Sequence, residues 1–130
     1  MPTVLLVDDE PRIVALLAQF LAGTSCTVLE AFDGDTALTT LADVPVDVVV
    51  ADMRMPRPDC WDILEELQRD KRPTQVVVIT GCGTTVLHRE AESRGACAVL
   101  EKPFDAATLV RAVNDAVGRA QEARRQATVT

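Results

Sequence analysis

The sequence predicts an α/β protein built as a doubly wound, five-stranded parallel sheet. Three observations predict it. Short β-rich apolar runs recur along the chain, and each is followed by a stretch of helical periodicity, the alternation that lays helices on both faces of a parallel sheet. The strongest runs are apolar at every position, as strands covered on both faces require. A chain of 130 residues that is 48% apolar is also large enough for one domain with its own core and too apolar to remain disordered.

The first strand is Thr3-Val-Leu-Leu-Val7. Ile13, Leu16, Leu17, Phe20 and Leu21 then recur at helical spacing, and Gly23 is placed to end that helix. Thr27-Val-Leu-Glu30 is a weaker strand, followed by a short helix capped by Asp35 and ending near Ala42. Asp47-Val-Val-Val-Ala51 is the third strand, because three consecutive β-branched residues disfavour helix. Residues 59–69 form the third helix, with Ile63, Leu64 and Leu67 on one face. Gln75-Val-Val-Val-Ile79 is the fourth strand. Thr84 to Arg94 is the next helix, closed by Gly95, and Cys97-Ala-Val-Leu100 is the fifth strand. Asp105 caps the last helix, whose stripe is Leu109, Val113, Ala116 and Val117. Three Phe, one Trp and no Tyr mean that the core is aliphatic.

Composition removes several function classes. A net charge of −7 argues against direct nucleic-acid binding and against an anionic membrane surface. No apolar run approaches the roughly 20 residues that span a bilayer, and a cytoplasmic location is expected. Cys26, Cys60, Cys82 and Cys97 form no C-x-x-C pair, so they are expected as reduced thiols filling core or loop spaces rather than as a zinc site.

In sheets of this kind the chemistry gathers at the carboxyl ends of the strands. Asp8, Asp9 and Glu10 stand after the first strand, Asp52 after the third, Thr80 and Gly81 after the fourth, and Glu101, Lys102 and Pro103 after the fifth. Clustered carboxylates repel one another, and a hard divalent cation such as Mg²⁺ relieves that repulsion. Taken singly, Asp8 or Asp9 suits a helix cap and Asp52 a solvated surface position; taken together they describe an acidic pocket. Lys102 is one of only two lysines, against eleven arginines, and supplies a compact charge suited to a phosphoryl oxygen or a carboxylate.

Four segments, Val4–Pro11, Val48–Pro56, Val78–Gly81 and Glu101–Phe104, carry a resemblance that their order and separation make specific. Over roughly residues 3–120 the chain resembles the receiver domains of two-component response regulators, with residues 121–130 as a tail or the start of a linker. The resemblance implies a (βα)5, flavodoxin-like fold with strand order 2-1-3-4-5. It implies that Asp52 accepts a phosphoryl group from a phospho-histidine on a sensor histidine kinase or phosphotransfer protein. Asp9 and Asp52 would ligate Mg²⁺ together with the backbone carbonyl of Arg54, with Asp8 assisting partly through water. Thr80 would bond a phosphoryl oxygen in the active state, Lys102 would pair with Asp52 or its phosphoryl group, and the Lys102–Pro103 bond would be cis. Such a chain is a regulatory domain that catalyses only its own phosphorylation and dephosphorylation. It acts on a downstream output domain or effector, and the family allows a homodimer through the last helices.

Two positions depart from the family pattern. Val99 stands where an aromatic residue is usual, so a rotating aromatic switch is unavailable. Cys60 stands where glycine is usual, so the loop after Asp52 is expected to differ. These departures keep open a pseudo-receiver that binds partners without phosphorylation. A Mg²⁺-dependent phosphohydrolase would use similar groups, but so short a chain shows no cap domain. A flavin phosphate would be repelled by Asp8-Asp9-Glu10. His88 is expected on the surface, Trp61 in packing, Cys82 at the pocket's border, and Arg119, Arg124 and Arg125 in a solvated basic helix end.

Overall fold

The structure is a computed structural model that describes residues 1–129, and their side chains through residue 127. Five strands alternate with five helices: β1 (Thr3–Val7), α1 (Pro11–Leu21), β2 (Thr27–Ala31), α2 (Gly34–Asp43), β3 (Val48–Asp52), α3 (Cys60–Arg69), β4 (Gln75–Thr80), α4 (Thr85–Ser93), β5 (Ala98–Glu101) and α5 (Ala106–Val129). All pairings are parallel and the order is β2-β1-β3-β4-β5, as the resemblance implied.

The continuous apolar runs are explained by two cores. On one face, alternate residues of the central strands (Val4, Leu6, Val48, Val50, Val77, Ile79) pack against Val14, Leu17 and Leu21 of α1 and Leu109, Val113 and Ala116 of α5. On the other, Leu5, Val7, Val49, Ala51, Val76 and Val78 pack against α2, α3 and Ala91 of α4. Every residue of β3 is buried, so any polar group at its end is surrounded by hydrocarbon on both sides.

Several expectations are corrected in detail. Asp52, Thr80 and Glu101 are the last residues of their strands rather than the first beyond them. Asp33, not Asp35, caps α2: its Oδ1 accepts from the Thr36 amide at 2.6 Å. The helix starts two residues early because Gly34 lies against the Pro58 carbonyl, where any Cβ would overlap. The buried stripe of α1 is rotated towards Val14, leaving Leu16 43% exposed. Leu16, Phe20, Pro103 and Phe104 instead line a small apolar hollow beside Lys102. Gly23 and Gly95 adopt φ values of +90° and +98° at the ends of α1 and α4, as placed from the sequence.

The basic end of α5 is not merely solvated. The helix runs unbroken through residue 120, with Ala120 fully buried. Arg124 reaches Asp47 at the amino end of the sheet, Nη1 to Oδ1 at 2.6 Å. Thr130, the end of the expected tail, lies outside the described residues.

Candidate functional site

Parallel register places the site. Val7 pairs with Ala51 and Asp52 with Ile79, so the residues that follow or end β1, β3 and β4 share the carboxyl rim. Asp52 is 4% exposed, and both its oxygens are held. Oδ1 accepts from the Arg54 backbone N–H at 2.7 Å, and Oδ2 accepts from Lys102 Nζ. Lys102 follows β5 directly, and its amide donates to the Thr80 carbonyl at 2.8 Å; its bond to Pro103 is cis, as the resemblance implied.

Asp8, 2% exposed, is different. Its Oδ1 accepts from the Glu10 amide at 2.9 Å, but its Oδ2 is buried without a partner. Burial pushes the Asp8 carboxyl up to about 7; the Glu10 N–H opposes this and the nearby charge of Asp52 adds to it. The capping alternative for these residues is removed, because α1 has Glu10 at its N-cap, no side-chain cap and Pro11 in its first turn.

Of the residues singled out from the sequence, Asp8, Asp52 and Lys102 meet at one point. Thr80 stands beside them, 5% exposed, and its Oγ1 accepts from the Cys82 amide at 3.1 Å. Asp9 stays on the exposed rim. Among the described residues no three acidic, His or Cys side chains converge to enclose an ion by themselves. The donor set nevertheless fits Mg²⁺, which takes one or two carboxylates and keeps several waters. The Asp8 Oδ2 is a buried oxygen without a hydrogen-bond partner, beside the Asp52 carboxylate.

The loop from β3 to α3 is stiffened by a reciprocal capping box between Asp59 and Asp62 and by the Arg57 guanidinium on Asp62, with Nη2 to Oδ1 at 2.7 Å. Arg57 and the Asp59 N–H hold the Asp62 carboxyl well below its usual range. Cys60 opens α3 in helical conformation with its thiol 3.6 Å from Met53 Sδ; burial pushes that thiol up to about 12. The position demands no left-handed backbone, so cysteine is accommodated there. Val99 is half-buried against the α2–α3–α4 core. Trp61 packs there too, with the Arg94 guanidinium 4.8 Å above its ring. His88 and Cys82 are on the surface, and all four cysteines are free.

Sequence reasoning missed the Arg54 amide, because a backbone donor leaves no residue-type signal. It also missed the pairing of His88 with Glu101, whose signal was limited to the position of Glu101 at a strand end.

Comparison with known proteins gives the chain's family. The sequence profile of the response regulator receiver domain matches residues 4–114. The chain is 35% identical over 122 residues to the transcriptional regulatory protein FixJ of Azorhizobium caulinodans, covering 92% of this chain and 57% of that protein. It is 40% identical over 125 residues to the C4-dicarboxylate transport transcriptional regulatory protein DctD of Pseudomonas aeruginosa, covering 94% and 26% respectively. The chain therefore spans between about a quarter and three-fifths of these relatives. The signal receiver domain of a putative LuxO repressor protein from Vibrio parahaemolyticus superposes with a TM-score of 0.88, at 26% identity and over 92% of each chain. With a parallel sheet in the order 2-1-3-4-5 and a buried aspartate held by a partly exposed lysine at its carboxyl rim, the chain belongs to the response regulator receiver domain family of two-component systems.

Proposed function

We propose that Asp52 is the phospho-acceptor of this receiver. The observation that carries the reading is the state of the Asp52 carboxylate: buried, oriented by the Arg54 amide and by Lys102, and set beside the unsatisfied Asp8. A carboxylate oxygen attacks the phosphorus of a phospho-histidine presented by a sensor histidine kinase or phosphotransfer protein. The P–N bond breaks and the histidine nitrogen takes a proton. Phosphoryl transfer depends on positioning and charge stabilisation, and the chain supplies both. The Arg54 amide fixes the direction of attack, while Lys102 neutralises the phosphoryl oxygens. Mg²⁺, held by Asp8, Asp9, Asp52 and the Arg54 carbonyl, would supply the remaining positive charge. Thr80, whose hydroxyl rests on the Cys82 amide, turns to a phosphoryl oxygen in the product.

The modified domain then acts on an output domain or effector, with residues 121–130 as the start of a linker and the last helices as a dimer contact. No described helix is long and apolar enough to cross a membrane, which fits work in the cytoplasm. Intact mass after incubation with Mg²⁺ and acetyl phosphate should rise by one phosphoryl group in the wild type and not in Asp52→Ala. Equal labelling of the variant would move the acceptor elsewhere. The rival pseudo-receiver reading draws on Val99, and partner affinity indifferent to phosphorylation would favour it.

A further inference from the structure

We propose that Glu101 and His88 form a latch that holds the β4–α4 loop and α4 in their resting position; this rests on the phospho-acceptor reading above and assigns a regulation to the same site. Glu101 ends β5, directly before the lysine that holds Asp52, and it pairs in register with Thr80. Its Oε1 lies 3.1 Å from His88 Nε2, on the second turn of α4. To get there the carboxylate crosses the loop at Gly83, where a Cβ would overlap it. A side chain at that point would push the Glu101 carboxylate aside. Thr84 then caps α4 by accepting from the Leu87 amide at 3.1 Å, so a displacement of the loop passes directly into the helix.

The latch adds a polar tie to the apolar packing between β5 and α4. Residues two apart on a strand share a face, so Glu101 projects on the same side of β5 as Val99, one pleat closer to the loop. Val99 packs against the apolar cluster that includes Ala91 of α4; the Glu101 side chain adds a polar contact nearer the loop. The two ends of the loop are thereby fixed by different groups. Thr80 Oγ1 holds the Cys82 amide at one end and Glu101 holds His88 at the other. When Thr80 turns to the phosphoryl group it releases its end, and the latch sets how readily the other end follows. His88 and Glu101 side chains are 36% and 53% exposed, and a contact so exposed is weak enough to open. The far end of α4 stays hinged on α3, where Arg94 stacks on Trp61.

The test is amide NMR of α4 in the full chain, with phosphoryl incorporation read by intact mass on the same samples. Wild type without and with Mg²⁺ and acetyl phosphate defines two endpoints for residues 85–93. Unphosphorylated Glu101→Gln and His88→Ala should each move along the line towards the phosphorylated endpoint. The moved population should rise about threefold, the shift a surface pair can supply. Gly83→Ala, which displaces Glu101 without removing it, should move the same way. The double variant should move no further than either single, because both remove one contact. Resonances that stay at the wild-type resting positions, that scatter off the line, or that add in the double variant would overturn the latch. So would a phosphorylated wild type whose α4 does not move. A wild type that gains no mass would instead sink the acceptor reading, and the latch with it.

Discussion

Two ends of one sheet carry buried aspartates in opposite conditions. At the amino end Asp47, 5% exposed, is fully satisfied: Oδ2 accepts from the Thr3 amide at 2.7 Å and Oδ1 from Arg124 at 2.6 Å. At the carboxyl end Asp8 is buried as deeply, yet one oxygen has no partner and a second carboxylate lies alongside. The residue type, the burial and the parent sheet are the same, so neither identity nor burial separates a structural aspartate from a functional one. Satisfaction does. A buried carboxylate with a partner on each oxygen fastens the fold; one with an unpartnered oxygen costs stability unless a ligand completes it.

The comparison breaks most readily by neutralising each end. Asp47→Ala removes both acceptors, leaving the Thr3 N–H without its carboxylate and Arg124 without Asp47, so unfolding free energy should fall by about 3 kcal/mol in urea titrations. Asp8→Asn should have the opposite sign without metal. It removes the like charge facing Asp52, and the melting free energy at pH 8 should rise by about 1–2 kcal/mol. The same substitution should weaken Mg²⁺ binding in a calorimetric titration. Two destabilising results would show that Asp8 is as structural as Asp47.

Acidity sharpens the contrast further. The Asp8 carboxyl rises from 3.8 to about 7 on folding, chiefly through burial. A group whose folded value is raised binds its proton more tightly in the native state, so its contribution is complete below the unfolded value and is lost as pH climbs towards the folded one. Metal-free protein should therefore lose stability between about pH 4 and pH 7 through this group, and saturating Mg²⁺ should offset the loss. Thermal melts across that range, with and without Mg²⁺, check it. A metal-free profile unaltered by Asp8→Asn would mean that Asp8 is not the titrating group.

Most of the fold was legible because continuous apolar strands and 3.6-residue stripes are local patterns, and a strand end is a predictable place for chemistry. Asp52, Thr80 and Lys102 were placed at the carboxyl rim of the sheet that way. What was not legible depends on packing between distant segments. Asp33 and Asp35 both suit an N-cap, and the contact of Gly34 with Pro58 decides between them. Asp8 and Asp9 are chemically identical neighbours, and only the pleat of the strand end decides that Asp8 is buried while Asp9 remains exposed. Leu16 fits the apolar periodicity of α1 yet faces the Phe104 hollow, because α5 and the sheet take the Val14 side. Arg124 read as one of three basic residues in a helix end, and nothing local connects it with Asp47.

That last pair gives the smallest expected effect. Asp47 keeps its Thr3 amide when Arg124 is removed, and the Arg124 side chain is 42% exposed, so solvent already screens half of the interaction. Arg124→Ala should therefore cost less than about 1 kcal/mol, well short of Asp47→Ala, and the difference measures what the buried N–H contributes alone. If the two losses are equal, the ion pair rather than the backbone bond fastens the amino end. The extension of α5 beyond Ala120 would then be part of the domain's own stability rather than an appendage to it. Urea titrations of the two variants decide between these cases.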